Sequence, residues 1–165
     1  MIAIFFALSQ EVASLKSQVN ILKKIRYANA VFYQAEFCGF PVTLVQTGVG
    51  KNVSEAIHQL STYFRIQLMV SSGFAGSVNP KVGVGDLVIG RRVLSSSRGV
   101  SEEGIPIDSA LPCDASAVDI AVALSSAGAL KFHCGDILSV DKIIRQSSLK
   151  THIGNQTSAI AVDME

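Results

Sequence analysis

The sequence predicts an α/β fold: a mixed, mainly parallel sheet flanked by helices. Short apolar runs of strand length alternate along the chain with stretches whose apolar residues recur at helical spacing. Turn-forming glycines and prolines separate these segments. Strands that alternate with helices build a sheet whose neighbours run mainly in parallel. The length of 165 residues fits one domain, residues 1–165, that buries a substantial core.

Composition and charge exclude several classes of protein. Apolar residues make up 48% of the chain and charged residues 16%, which is typical of a compact, core-rich protein and not of a disordered one. The net charge of +1 gives no electrostatic basis for binding nucleic acid. The three cysteines and three histidines have no metal-ligand spacing, so we expect reduced thiols, no metal and no cofactor.

The N-terminal segment is predicted to be a strand followed by a helix. The apolar run over residues 2–7 has no basic leader and no small-residue cleavage site after it, so it is a first strand and not a signal peptide. Ser9 is a favourable N-cap for a helix over residues 10–24, and the basic residues 23–26 would form its solvated end. Because no apolar run reaches the roughly 18 residues of a membrane span, we expect a cytoplasmic protein.

The remaining segments continue the alternation. Two strands are predicted at residues 31–37 and 42–46, joined in a hairpin at Gly39-Phe40-Pro41. A helix over residues 53–64 follows. Two short strands are predicted at residues 68–70 and 87–89, followed by an exposed loop over residues 95–112. Helices are predicted at residues 115–127 and 143–152, and strands at residues 132–140 and 158–162.

The segment after residues 68–70 is the predicted ligand pocket. The apolar run passes directly into Ser71, Ser72 and Gly73, and Gly76 follows. Glycine lets the backbone approach a ligand without a Cβ in the way, and ligands of open α/β sheets bind at the carboxyl ends of the strands. We therefore expect binding residues in this loop.

Two nucleotide-binding motifs are excluded by the residues at their defining positions. Gly48-Val49-Gly50-Lys51 is not a Walker motif, because Val45 stands where that motif needs glycine and Asn52 where it needs serine or threonine. It is not a dinucleotide fingerprint either, since Val53 occupies the third glycine position.

Four collinear segments resemble the purine nucleoside phosphorylase and uridine phosphorylase superfamily. The central one is Ser72-Gly73-Phe74-Ala75-Gly76, followed by a Gly-Val-Gly-Asp segment at residues 83–86. Residues 7–12, 47–51 and 161–165 match the family in the same order. The branch that the chain is most similar to is that of the 5′-methylthioadenosine/S-adenosylhomocysteine nucleosidases. This resemblance implies a nucleosidase that hydrolyses the N-glycosidic bond of an adenine nucleoside.

The resemblance implies that Glu11 is the catalytic residue. Glycosidic cleavage builds positive charge on the ribose, so the enzyme needs a carboxylate and an activated nucleophile near the sugar. In the resembling nucleosidases the matching glutamate activates the attacking water. Taken from position alone, the favoured interpretation of Glu11 is a first-turn acid that the helix dipole stabilises.

The resemblance also implies the substrate-binding residues. Met164 and Glu165 match the pair that lies against the ribose, where the glutamate accepts hydrogen bonds from the hydroxyls; a solvated terminus is the alternative for Glu165. Ile143 stands where the family has a phenylalanine that stacks on adenine, so the aromatic contact is lost. The full implied set is Gly73, Phe74, Ala75, Gly76, Ile143, Ile144, Met164 and Glu165.

The chain departs from the family at its end. Family members continue beyond the Met-Glu pair with a strand, an aspartate that protonates the purine and further helices, so the resemblance implies a C-terminally incomplete domain. Related enzymes are homo-oligomers, and we expect self-association. Two alternatives stay open: a related phosphorylase that uses phosphate, and a catalytically silent nucleoside-binding module.

Overall fold

The computed structural model describes residues 1–49, 53–101 and 103–164. They form a mixed α/β structure, which confirms the predicted fold class. Its contacts divide it into two compact units, Met1–Phe74 and Ala75–Met164. The single domain expected from chain length stays a prediction.

The first unit is a five-stranded mixed sheet with two helices. Its strand order is β2-β3-β4-β1-β5, in which β1 pairs in parallel with β4 and β5, and β2, β3 and β4 are antiparallel. The elements are β1 (Ile2–Phe6), α1 (Ser9–Lys16), β2 (Asn20–Tyr27), β3 (Ala30–Phe37), β4 (Phe40–Gln46), α2 (Val53–Tyr63) and β5 (Leu68–Ser71).

Both faces of this sheet carry a core. Side chains alternate along a strand, so Ala3 and Phe5 of β1 pack on the face covered by α2, with Leu60 of that helix. Phe6 packs on the other face with Val12 of α1. These two layers fix β1 at the centre of the unit, and with it the segment that follows its carboxyl end.

The predicted helix over residues 10–24 is wrong in its second half. The helix ends at Lys16, and residues 20–27 form β2, the edge strand paired with β3. The basic residues 23–26 therefore lie on an edge strand, where lysine discourages pairing with another chain. Ser9 is the first helical residue and Leu8 is the N-cap, which corrects the predicted cap.

The predicted hairpin of β3 and β4 is confirmed, with its turn shifted. The turn residues are Cys38 and Gly39, with φ of 50° and 82°, and Phe40 already belongs to β4. Two central residues with positive φ are typical of the tight turns whose twist matches that of paired strands.

The second unit is also a five-stranded mixed sheet with two helices. Its strand order is β6-β10-β9-β7-β8, with β9 parallel to both β7 and β10 and the outer strands antiparallel. The elements are β6 (Gly76–Ser77), β7 (Leu87–Ser96), β8 (Ser109–Pro112), α3 (Ala115–Ala127), β9 (Phe132–Val140), α4 (Ser147–Gln156) and β10 (Ala159–Asp163).

Two predicted segments of this unit differ from the structure. The strand predicted at residues 87–89 extends to Ser96, and the predicted loop over residues 95–112 contains β8. The helix predicted at residues 143–152 begins at Ser147, with Gln146 as its N-cap.

Two carboxylates of the second unit connect separate segments through hydrogen bonds and ion pairs. Asp86 accepts hydrogen bonds from the Lys131 Nζ at 2.7 Å and the Gly83 N–H at 2.8 Å, and its Oδ2 lies 2.8 Å from His133 Nε2. The Lys131 ammonium, followed by those two groups, holds the pKa of Asp86 well below its usual range.

Asp136 is the second of these carboxylates and is buried on β9. Arg92 of β7 and Ser158 both donate to it. The hydrogen bonds from Arg92 and, after it, from Ser158 lower the pKa of Asp136. Two parallel strands are therefore joined by an ion pair as well as by their backbone.

No helix among the described residues is long and apolar enough to cross a membrane.

Candidate functional site

The carboxyl edge of the first sheet brings three loops together. The Thr47 N–H donates to the Phe6 carbonyl at 2.9 Å, and the Gly48 N–H donates to the Ala7 carbonyl at 3.0 Å. On the other side of β1, the Ser72 N–H donates to the Phe5 carbonyl at 2.9 Å. The segments that follow β1, β4 and β5 are thus held side by side, as expected for the ligand-binding edge of a parallel sheet.

Glu11 is anchored at this edge by three backbone amides. It lies in the first turn of α1, and its Oε2 accepts from the Ala7 N–H at 3.0 Å and the Leu8 N–H at 2.8 Å. Its Oε1 accepts from the Phe74 N–H at 2.9 Å, across 63 residues of sequence. The carboxylate therefore both caps α1 and joins the β1 loop to the predicted pocket loop.

Gly73 lies in close contact with this carboxylate, which leaves no room for a side chain at residue 73. A Cβ on Gly73 would lie 2.8 Å from Glu11 Oε1 and 3.1 Å from Glu11 Cδ. Contacts this close do not occur between real atoms of these types, so any side chain at residue 73 would displace the Glu11 carboxylate. The glycine that the sequence placed in the pocket loop is needed for the position of the candidate catalytic group.

Among the described residues, one acceptor position of Glu11 is left open. An ionised carboxylate offers about four lone-pair positions, and the three amides occupy three of them. Since Oε2 receives two of the bonds, the open position is on Oε1, on the side of Gly73. A hydroxyl or a water molecule can donate there, which is the contact that a general base needs.

Phe74 contributes its backbone to the site. Its amide binds Glu11, whereas its side chain is 70% exposed. Because the Phe74 ring is exposed at this edge of the sheet, it is not part of the hydrophobic core of the first unit.

The other predicted binding residues belong to the second unit. Gly76 begins β6, directly after Ala75, and a Cβ on it would lie 3.4 Å from the Lys150 Nζ. Ile143 and Ile144 follow β9, whose end is in register with β10: Ser139 pairs with Asp163. Met164 follows β10.

These residues of the second unit differ in their packing. Ile144 and Met164 pack against the core that includes Leu138 and Val162, whereas the side chain of Ile143 is 64% exposed. Ile143 is the one of these three that is free to cover a ligand. Glu165 lies outside the described residues.

Sequence reasoning missed two features of these loops. It gave Glu11 either a catalytic role or that of a first-turn acid favoured by the helix dipole, and the structure shows a helix cap and, among the described residues, an open acceptor together. It also did not find Lys150, whose ammonium lies beside Gly76. The signal for the first was present, because a glutamate at the third position of a helix that directly follows a strand can bind the amides of the connection.

Among the described residues, no group of three or more His, Cys, Asp or Glu side chains is placed to hold a metal ion.

Comparison with solved structures agrees on the fold. The chain superposes on the 5′-methylthioadenosine/S-adenosylhomocysteine nucleosidase of Neisseria meningitidis, solved with methylthio-immucillin-A, with a TM-score of 0.86 and 24% identity, over 99% of this chain and 75% of that one. It superposes on the futalosine hydrolase of Helicobacter pylori with a TM-score of 0.84 and 20% identity, over 99% and 74% of the two chains.

Comparison of sequences establishes the family. The model of the Phosphorylase superfamily matches residues 1–165, so the chain belongs to that superfamily. It is similar to the 5′-methylthioadenosine/S-adenosylhomocysteine nucleosidase of Buchnera aphidicola, with 29% identity over 99% of this chain and 73% of the relative. The match to the nucleosidase of the same name from Staphylococcus saprophyticus is 37% identical over 54% of this chain and spans 40% of the relative.

Proposed function

We propose that the protein hydrolyses the N-glycosidic bond of an adenine nucleoside such as 5′-methylthioadenosine or S-adenosylhomocysteine. The observation that carries the proposal is the Glu11 carboxylate, which three backbone amides hold at the carboxyl edge of the sheet with one acceptor position open. The names of the relatives give the substrate class: two of them are nucleosidases for these two compounds.

Glu11 acts as the general base in this proposal. A water molecule that donates to the open position of Oε1 attacks the anomeric carbon of the ribose. The C–N bond breaks, its electron pair leaves with the adenine, and the water proton passes to Glu11. The adenine takes up a proton from solvent water, and Glu11 returns its proton to solvent after the sugar leaves. The backbone amides suit this role because they fix the carboxylate and cannot themselves be titrated away.

The nucleoside contacts are proposals that rest on the resemblance. Gly73 and Phe74 lie at the Glu11 carboxylate, and Ala75 and Gly76 continue that loop. Ile143 and Ile144 are proposed to cover the base, and Met164 and Glu165 to bind the ribose. We further propose a cytoplasmic homo-oligomer, which light scattering of the purified protein would test.

A phosphorylase is the second candidate, and Lys150 favours it. Its ammonium lies beside Gly76, the first residue of β6, where a phosphate could accept from it. Phosphate would then take the place of water as the nucleophile, and the sugar product would be a ribose 1-phosphate.

Identification of both products tests these candidates. The protein is incubated with 5′-methylthioadenosine or S-adenosylhomocysteine, with and without phosphate, and adenine and the sugar are separated by chromatography. Hydrolysis predicts adenine and a free sugar in either buffer. Adenine release only with phosphate would assign the phosphorylase, and thermal stabilisation by the nucleosides without release would assign a silent binding module.

A further inference from the structure

A second site lies in the first unit, on the face of the sheet that α2 covers. Residues of β2, β3 and β4 and of the C-terminal half of α2 line a groove with a volume of about 400 Å³. We call it the α2 groove, and it is lined by Lys23, Ile25, Tyr27, Phe32, Gln34, Thr43, Gln59, Leu60, Tyr63 and Phe64. This volume is within the range of small-molecule sites, roughly 300 to 1,000 Å³.

The floor of the α2 groove follows from the strand register. Lys23 pairs with Gln34, and Gln34 pairs with Thr43, so three polar side chains form one row across β2, β3 and β4. The next row on this face is apolar, with Ile25 opposite Phe32. The floor is therefore polar on one side and apolar on the other.

The wall of the α2 groove is the end of the helix. Leu60 is buried, and Gln59, Tyr63 and Phe64 line the groove with it. The Tyr63 side chain is 74% exposed, although it stands beside an apolar floor. Aromatic side chains on two sides of an open groove are suited to a flat aromatic ligand, which they contact at its faces and edges.

The polar groups of the α2 groove are available to a ligand. In the described part of the chain, neither the Lys23 ammonium nor the amides of Gln34 and Gln59 have a hydrogen-bond or ion-pair partner. The ten lining residues include one cationic side chain and no acidic one. The charge complement of such a groove is an anion.

The α2 groove is separate from the candidate catalytic site. Thr43 pairs with Ala3 near the beginning of β1, whereas Glu11 follows the end of that strand. The groove also lies on the α2 face, and the α1 helix that carries Glu11 packs on the opposite face.

We propose that the α2 groove binds a small aromatic anion, a flat ring system that carries a carboxylate or sulfonate. The ring lies between Phe32, Tyr63 and Phe64, and the acid group accepts hydrogen bonds from Lys23 and from the glutamine amides. This binding is independent of nucleoside cleavage.

The probe for this site is 8-anilinonaphthalene-1-sulfonate, an aromatic sulfonate that fluoresces when it leaves water. Titration of the wild-type protein with the probe is expected to give saturable binding of one molecule per chain. Lys23→Gln is expected to weaken binding about fivefold, because it removes a charge-assisted contact at a half-open site. Tyr63→Ala is expected to weaken binding about tenfold by removing the wall.

Each variant has a matched control. Lys24 is the next residue on β2 and points to the other face, where its Nζ lies 5.7 Å from the centroid of the Tyr33 ring, so Lys24→Gln should leave the affinity unchanged. Phe40 is an exposed aromatic residue outside the groove, and Phe40→Ala should also have no effect. All four positions are exposed, so an unchanged melting temperature is expected and is measured.

Three results overturn the proposal. The first is the absence of saturable binding by the folded wild-type protein. The second is equal weakening by Lys23→Gln and Lys24→Gln, or by Tyr63→Ala and Phe40→Ala, which would mean unspecific binding. The third is a dimer, seen by light scattering, that Tyr63→Ala dissociates and that excludes the probe, which would mean that a second copy fills the groove.

Discussion

The proposed activity depends most directly on one pair of residues, Gly73 and Glu11. The carboxylate occupies the space that a side chain at residue 73 would take, and the open acceptor position is on the same oxygen. The sequence identified both residues but could not show that they touch, since 62 residues separate them and only the pairing of β1 with β5 brings them together.

Gly73→Ala is therefore expected to lower kcat for adenine release about 100-fold or more. A methyl group would push Glu11 Oε1 from its place, and general base catalysis typically contributes a factor of about 10² to 10⁴. The control is Gly104→Ala, because a Cβ there meets no atom within 4 Å and the substitution should leave kcat unchanged. Full activity of Gly73→Ala would show that Glu11 does not need its present position.

Asp86 predicts how stability depends on pH. Its pKa is lowered from 3.8 in the folded protein, so between the folded and unfolded values the unfolded chain binds more protons and stability rises with pH. The stabilisation is fully present above about pH 5 and is lost as the pH falls through 3.8 towards the lowered pKa.

Asp86→Asn tests this dependence through melting temperatures between pH 7 and pH 3. The variant should melt below the wild type at pH 7, because Lys131 loses its ion pair, and the gap should narrow as the pH falls below 4. Asp119→Asn, on the exposed side of α3, is the control. A gap that stays constant over this range would contradict the role assigned to the Asp86 charge.

At the scale of elements, local signals predicted the helices and strands whose ends are marked in the sequence. Helix α3 is confirmed at residues 115–127, between the N-cap Asp114 and the terminal Gly128, and β9 is confirmed at residues 132–140. The apolar pattern decided these elements without help from distant parts of the chain.

The error at residues 17–24 has a tertiary cause. Val19 and Leu22 continue the helical spacing of Val12 and Leu15, yet residues 20–27 pair antiparallel with β3 along one edge. Leu22 lies at the irregular step of that pairing and is exposed. The periodicity of one segment cannot show which strand it pairs with. For the same reason the sequence did not predict the α2 groove, because its polar row forms only when β2, β3 and β4 pair in register.

The N-cap of α3 gives a prediction for one element. Asp114 accepts from the Ala117 N–H at 2.9 Å, so Asp114→Ala should reduce the free energy of unfolding by about 1 kcal/mol. Denaturant unfolding measures the loss, and Asp119→Ala in the same helix is the comparison, because its side chain makes no cap. Equal losses in the two variants would mean that the charge and not the cap stabilises the helix.

At the scale of the whole molecule, the four segments of family resemblance predicted the superfamily to which the full chain belongs. The alternation of strands and helices along the chain predicted the fold class, and the nucleosidase names of the relatives agree with the predicted function. The substrate-binding roles of Ile143, Ile144, Met164 and Glu165 stay predictions, since they were carried over from the resemblance and Glu165 is outside the described residues.

Adenine release from 5′-methylthioadenosine, compared between the wild type, Glu11→Gln and Glu36→Gln, tests the central claim most directly. Glutamine keeps the size of Glu11 but cannot take the proton of a water molecule, whereas Glu36 is an exposed residue of β3 and serves as the control. The account predicts release by the wild type and Glu36→Gln, and a loss of about 10² to 10⁴ in Glu11→Gln when each protein is assayed below its own melting temperature. Glu11→Gln should melt below the wild type, because the NH2 group of glutamine cannot accept from the backbone amides. Equal release by all three proteins would contradict it, because the base would then be another group.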